Sequence, residues 1–149
     1  MEQIKKIDVH AHAEPFPQYA PKYRGTILTK VSPSELCEFY DKLNIEKGVL
    51  LPLVSPEAAT NTSSNESIKY VVDQNPDRFL WFCNVDPRAL DNSKDSNLGY
   101  LLEHYMSLGA KGIGEMTSNL YADDAKMDNL FGFAAELSLV FSVSDTKTQ

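Results

Sequence analysis

A chain of 149 residues is long enough for one domain with its own core, and an apolar content of 42% is that of a folded protein. Twenty-one acidic against 14 basic residues leave a net charge of −7, which repels phosphate backbones and argues against broad nucleic-acid binding through a basic face. No apolar run approaches the ~20 residues that span a bilayer, and the opening MEQIKKIDVH lacks the apolar stretch of a secretion signal, so a cytoplasmic protein is expected.

The first apolar strand covers residues 4–9 and leads into His10-Ala11-His12. After a long loop, Ser32-Pro33-Ser34-Glu35 opens a helix: Ser32 caps it, Pro33 suits its first position, and Glu35 completes a capping box. Leu36, Phe39, Tyr40 and Leu43 then form one apolar stripe. Gly48 opens the next unit, in which residues 49–54 read as a strand buried on both faces. Ser63 and Glu66 suggest a second capping box, Ile68, Val71 and Val72 supply the stripe, and Asn75-Pro76 ends the helix. Residues 79–85 form the third strand. Its helix carries Leu98, Leu101, Leu102, Tyr105 and Leu108, and Gly109 closes it. Residues 110–116 form the fourth strand, followed by a helix with Met127, Leu130, Phe131, Ala134 and Leu137. Residues 139–143 begin a fifth strand.

Strands alternating with crossover helices make a parallel α/β sheet. Four β/α units and a fifth strand fit half of an eightfold barrel, and also a small open doubly wound sheet. No glycine-rich phosphate loop follows the first strand, so the dinucleotide-binding version of that sheet has little support. Cys37 and Cys83 share no short motif and read as buried, reduced thiols.

In parallel α/β folds the chemistry lies beyond the carboxyl ends of the strands. His10 and His12 are two apart, so in an extended strand both imidazoles point to one side, and imidazole is a common ligand of zinc and similar ions. Asp8 is placed to orient one of the rings. Glu115 ends an apolar strand after Gly112 and Gly114, which leave room beside the strand end, and a carboxylate there can ligate a metal or act as a general base. Asn84, Asp86 and Arg88 lie at the end of the third strand and are candidates to contact a small polar or anionic substrate, although Asp86-Pro87 also reads as an ordinary turn start. Glu14 lies in the long first loop, and His104 reads as a surface histidine on a helix.

Together these segments resemble a known family. Ile7-Asp8-Val9-His10-Ala11-His12 resembles the first-strand signature of the amidohydrolase superfamily, in the branch that holds the aminocarboxymuconate-semialdehyde decarboxylase-like enzymes. Residues 41–53 (DKLNIEKGVLLPL) resemble its second-strand region. Asp77-Arg78-Phe79 with Asn84-Val85-Asp86-Pro87-Arg88 resembles the third, and residues 109–115 (GAKGIGE) the fourth. The resemblance runs over essentially the whole chain. It implies a TIM-type (β/α) barrel with one or two divalent metals at its mouth, zinc first and manganese or iron as alternatives. It also implies hydrolysis or, in some branches, non-oxidative decarboxylation, through a metal-activated water or a metal-polarised substrate. His10 and His12 match its first-strand ligands, and Glu115 matches a fourth-strand glutamate of some members.

Two departures qualify it. Family members run to roughly twice this length, so residues 1–149 correspond to the N-terminal half of a barrel, without the later histidines and the general-base aspartate. The fifth strand also has Ser142 where a histidine is expected, before a polar tail at 145–149. The reading is therefore a metal-dependent hydrolase of the amidohydrolase type, incomplete and inactive alone. Two alternatives stand beside it. One is a non-catalytic half-barrel, a remnant or interaction module that self-associates through open sheet edges. The other is a TatD-type metal-dependent deoxyribonuclease, ranked lower on the acidic charge and the Asn-Val-Asp-Pro-Arg segment.

Overall fold

The computed structural model describes residues 4–19, 31–58 and 62–143; the polar tail at 145–149 lies outside them. Five strands, β1 (Lys6–Ala11), β2 (Ile45–Leu50), β3 (Phe79–Trp81), β4 (Gly112–Met116) and β5 (Val140–Val143), alternate with four helices, α1 (Pro33–Leu43), α2 (Asn65–Gln74), α3 (Gly99–Ser107) and α4 (Ala125–Glu136). Strands β1, β2 and β3 pair in that order, β4 pairs with β5, and every pairing is parallel. A parallel bridge between Cys83 and Ile113 joins the two groups. The Lys111 N–H donates to the Trp81 carbonyl at 2.9 Å and the Gly114 N–H to the Cys83 carbonyl at 2.8 Å.

The spatial order is thus the chain order. A doubly wound sheet reverses its strand order at a switch point; this one does not, and among the described residues it does not close. The fold is an incomplete parallel β/α barrel. Its core runs through Tyr40, Leu50, Ile68, Phe79, Trp81, Cys83, Leu98, Leu102, Ile113, Met127 and Leu130, which join the inner surfaces of α1 to α4 to the strands.

Ser32 caps α1 as its sequence indicates. Its hydroxyl accepts from the Glu35 N–H at 3.3 Å, and the Glu35 carboxylate accepts from the Ser32 N–H at 2.9 Å. Ser32→Ala is expected to cost about 1 kcal/mol of stability, read as a lowered urea midpoint at unchanged slope.

Several boundaries differ from the sequence reading. The second helix is capped by Ser64, whose hydroxyl accepts from the Ser67 N–H at 3.2 Å. The Ser63 carbonyl is taken by the Leu53 N–H at 2.9 Å, which ties that residue into the preceding loop and starts the helix one residue later. On α1, Leu36, Cys37 and Tyr40 face the core, whereas Phe39 and Leu43 of the expected stripe are exposed. Periodicity identifies an apolar side of a helix, but not which neighbouring sector the sheet covers. The second strand begins at Ile45, earlier than expected, because its pairing with β1 begins there. Both cysteines are free; Cys83 is buried, whereas Cys37 is only half-buried.

Both outer strands present apolar side chains to solvent. Ile7 and Val9 of β1 are 60% and 69% exposed, and Val140 of β5 is 63% exposed. No helix among the described residues is long and apolar enough to cross a membrane.

Candidate metal centre

Two strands of this sheet carry an extra residue at matching places. In β1, Asp8 pairs with Gly48 and Ala11 with Leu50, so three steps oppose two. In β4, Ile113 pairs with Phe141 and Met116 with Val143, again three steps against two. Such bulges bend a strand locally and re-aim the side chains within it. His10 lies in the first bulge and Glu115 in the second.

The side chains of these two residues and of His12 meet at the carboxyl ends of the strands. The His12 Nε2 lies 2.9 Å from the Glu115 Oε2, and the His10 Nε2 lies 3.3 Å from the same oxygen. The two imidazole Nε2 atoms are 3.3 Å apart. Glu115 is buried, while both histidines are open on their outer side.

The backbone selects the tautomer of His12. Its Nδ1 is 3.0 Å from the Leu51 carbonyl, which can only accept, so Nδ1 carries the proton and, in the neutral ring, Nε2 presents a lone pair. That lone pair faces the carboxylate of Glu115. In that tautomer the His12 Nε2 and the Glu115 Oε2 are two acceptors facing one another at 2.9 Å, a repulsion that a cation between them would relieve. Their ligand atoms all lie within 4.8 Å of one another, and this group has three members among the described residues. The donor set therefore fits a divalent metal of the kind that accepts mixed nitrogen and oxygen ligands.

Asp8 does not bond to either ring. One of its oxygens accepts from the backbone N–H of His10 at 3.1 Å, and the other accepts from the Tyr40 hydroxyl at 2.9 Å. Burial, with Asp8 beside it, pushes the Tyr40 phenol well above its ordinary range, so it remains a donor.

Asn84, Asp86 and Arg88 lie on the loop that leaves β3, and their polar groups are largely engaged within the protein. The buried Asn84 amide donates to the Pro52 carbonyl at 3.1 Å and to the Glu115 carbonyl, which ties the ends of the second and fourth strands together. Asn65 brackets the Asn84 backbone with two hydrogen bonds of 2.8 Å. Arg88 sits between two carboxylates. Asp86 takes its Nε at 2.8 Å and Nη2 at 2.6 Å, and Glu57 binds it bidentately at 2.9 and 2.7 Å. The hydrogen bonds from Arg88 hold the Glu57 carboxyl down at about 2.

His104 is exposed on α3, with its ring against Tyr105 and away from this group. The buried Glu14 lies beyond β1, with its backbone N–H bonded to the Val31 carbonyl at 2.8 Å. Sequence reasoning missed the Leu51 carbonyl and Tyr40 as supports, and Glu57 as the partner of Arg88. A backbone acceptor leaves no signal in residue type. By spacing Tyr40 reads only as part of an apolar stripe, and Glu57 lies just past the second strand end without a motif of its own.

Among the described residues, a three-donor group thus sits at the mouth of a parallel half-barrel. No family model matches the chain, and no curated protein matches it. Solved structures do. An amidohydrolase II is 19% identical with a TM-score of 0.67, covering 97% of this chain and 51% of that one. An uncharacterised Tim-barrel protein from Bordetella bronchiseptica is 15% identical with a TM-score of 0.63, covering 91% and 53%. A 5-carboxyvanillate decarboxylase from Novosphingobium aromaticivorans, solved with manganese and 4-hydroxy-3-methoxy-5-nitrobenzoic acid, is 19% identical with a TM-score of 0.58, covering 91% and 48%. The chain thus spans about half the length of the structures it matches. At these identities the likeness is one of fold, and the fold is the one that the amidohydrolase resemblance implies.

Proposed function

We propose that the chain supplies the N-terminal metal ligands of a metal-dependent hydrolase or non-oxidative decarboxylase of the amidohydrolase type. The observation that carries this reading is the convergence of His10, His12 and Glu115 on one point, with the His12 tautomer set by Leu51. His10 and His12 would hold the cation through Nε2 and Glu115 through its carboxylate. A bound divalent metal supplies a Lewis acid. The protein residues orient the ligands: Leu51 holds the His12 ring, and Asn84 holds the strand end that bears Glu115. Glu115 is also the carboxylate best placed to accept a proton, but it cannot do so while completing the ligand set. Zinc or manganese suits the nitrogen and oxygen donors, and the manganese in the decarboxylase of similar fold supports including it.

For the substrate we propose a small polar or anionic molecule. Among the described residues, Arg88 on the loop that leaves β3 is the cation this reading assigns to it. Glu57 is its more exposed partner and sits on a short turn, Pro56–Ala58, so it is the carboxylate that an incoming anion would replace. Asp86, more deeply buried, would keep the guanidinium in place, and Asn84 would form the floor. The benzoic acid bound to the decarboxylase of similar fold is an anion of this size.

A second reading, an interaction module, is favoured by the exposed apolar residues of β1 and β5. The free edges belong to parallel strands at opposite ends of one sheet, so the β5 edge of one copy can pair with the β1 edge of a second copy.

One experiment addresses both readings. Calorimetry with zinc and manganese is expected to show one weak site, because three donors fall short of the four of a structural zinc site. His12→Ala is expected to abolish the signal. Sedimentation of the same samples is expected to show concentration-dependent association. Absence of any uptake by the wild type would sink the metal reading, and sub-nanomolar binding lost in His10→Ala would show that the site is already complete. A monomer at all concentrations would sink the second reading.

A further inference from the structure

The bulge that turns His10 toward Glu115 costs β1 a regular ladder, so something must hold it. The side chain that does so is Asp8. Its first oxygen accepts the His10 N–H at 3.1 Å, within the bulge itself. Its second oxygen accepts the Tyr40 hydroxyl at 2.9 Å, which reaches down from α1. Tyr40 is buried, its ring packed near Phe79, so its hydroxyl approaches Asp8 from a fixed direction.

Gly48 makes room for that approach. It is the residue opposite Asp8 in the β1–β2 register. A Cβ built there would lie 2.3 Å from the Tyr40 Oη and 2.7 Å from the Tyr40 Cε2. Those atoms belong to a packed aromatic ring rather than to the end of a flexible side chain. Any other residue at position 48 would push the tyrosine off Asp8.

We infer that Gly48, Tyr40 and Asp8 form a positioning device for the first-strand histidines. The glycine admits the tyrosine, the tyrosine fixes the carboxylate, and the carboxylate holds the His10 backbone in the bulge that aims its ring at Glu115. The inference rests on the metal reading for its consequence and on the hydrogen bonds for its mechanism. None of the three residues touches the cation position.

The device predicts a rank order that general destabilisation does not. Asp8→Ala removes both hydrogen bonds. Asp8→Asn keeps an oxygen for the His10 N–H and offers its NH₂ to the Tyr40 oxygen, so it is the conservative rescue. Tyr40→Phe removes only the hydroxyl, and Gly48→Ala displaces the ring without touching Asp8. Two measurements on the whole chain decide the matter. The first is hydrogen exchange of the His10 amide by NMR without metal, against the β2 amides as internal reference. The second is manganese affinity by calorimetry. Asp8→Ala is expected to speed His10 exchange at least about tenfold relative to the reference, and to weaken manganese binding about 10- to 100-fold. Tyr40→Phe and Gly48→Ala should give smaller changes of the same sign, and Asp8→Asn the smallest.

Unchanged His10 exchange in Asp8→Ala, or equal effects of Asp8→Ala and Asp8→Asn on the exchange, would overturn the inference. If the wild type takes up no manganese, the metal reading fails, and the exchange series still decides whether Asp8 holds the bulge.

Discussion

Loaded with zinc or manganese, the 149-residue chain is expected to hydrolyse generic ester, lactone and phosphodiester substrates no faster than metal in buffer. Hydrolysis needs an activated water and a base placed to take its proton. Among the described residues the ligand group has three members, His10, His12 and Glu115. The residue opposite Gly114 on β5, where the family pattern leads one to expect a histidine, is Ser142, a poor ligand for zinc. Spending Glu115 as base would remove one of only three ligands. A missing general acid or base alone costs about 10²–10⁴-fold, and an incomplete ligand set adds to that. The measurement is turnover by purified chain with each metal. Metal-dependent turnover that disappears in His12→Ala would show that the half-barrel works unaided, and the expectation would be wrong.

Gly114→Ala is expected to be the most damaging single-methyl change in the site. Gly114 has a φ of +144°, in the region that L side chains rarely adopt. A Cβ there would lie 2.7 Å from the Ser142 carbonyl oxygen and 2.8 Å from the Ser142 Cβ. The clash falls on the backbone of the neighbouring strand, which has no rotamer to escape into. Backbone strain and overpacking each cost about 1–3 kcal/mol, so a total of roughly 3 kcal/mol is expected, with a thermal midpoint lower by about 10 °C. Because Gly114 precedes Glu115 within the β4 bulge, manganese affinity should fall with it. Gly132→Ala is the control: it sits within α4, and a Cβ there meets no atom within 4 Å. If Gly114→Ala melts within a degree or two of the wild type, the close contact between β4 and β5 is not what that glycine serves.

The contrast between these two glycines shows where sequence reading stops. Both are single glycines in regular elements. A positive φ and the pairing of β4 with the strand that carries Ser142, 28 residues later, make one of them irreplaceable.

The alternation of strands and helices, their parallel arrangement and the general place of the chemistry are legible in residues close along the chain. Those are consequences of periodicity and capping, which act over a few residues: the i, i+2 spacing of His10 and His12 puts both on one side of an extended chain, and Ser32 caps because its hydroxyl reaches a neighbouring amide. The family resemblance of the strand-end motifs, read from residues close in the chain, implied the half-barrel that the strand order then established. Tertiary structure alone decided how the site is held. The bulges at His10 and Glu115 exist only against their partner strands, and Leu51 fixes the His12 tautomer from 39 residues away. Asp8 turned to the backbone and to Tyr40 rather than to an imidazole, and Arg88 acquired Glu57 as a second carboxylate. Each of these depends on which segments meet across the sheet, and hydrogen bonds between distant residues leave no period in the chain that forms them.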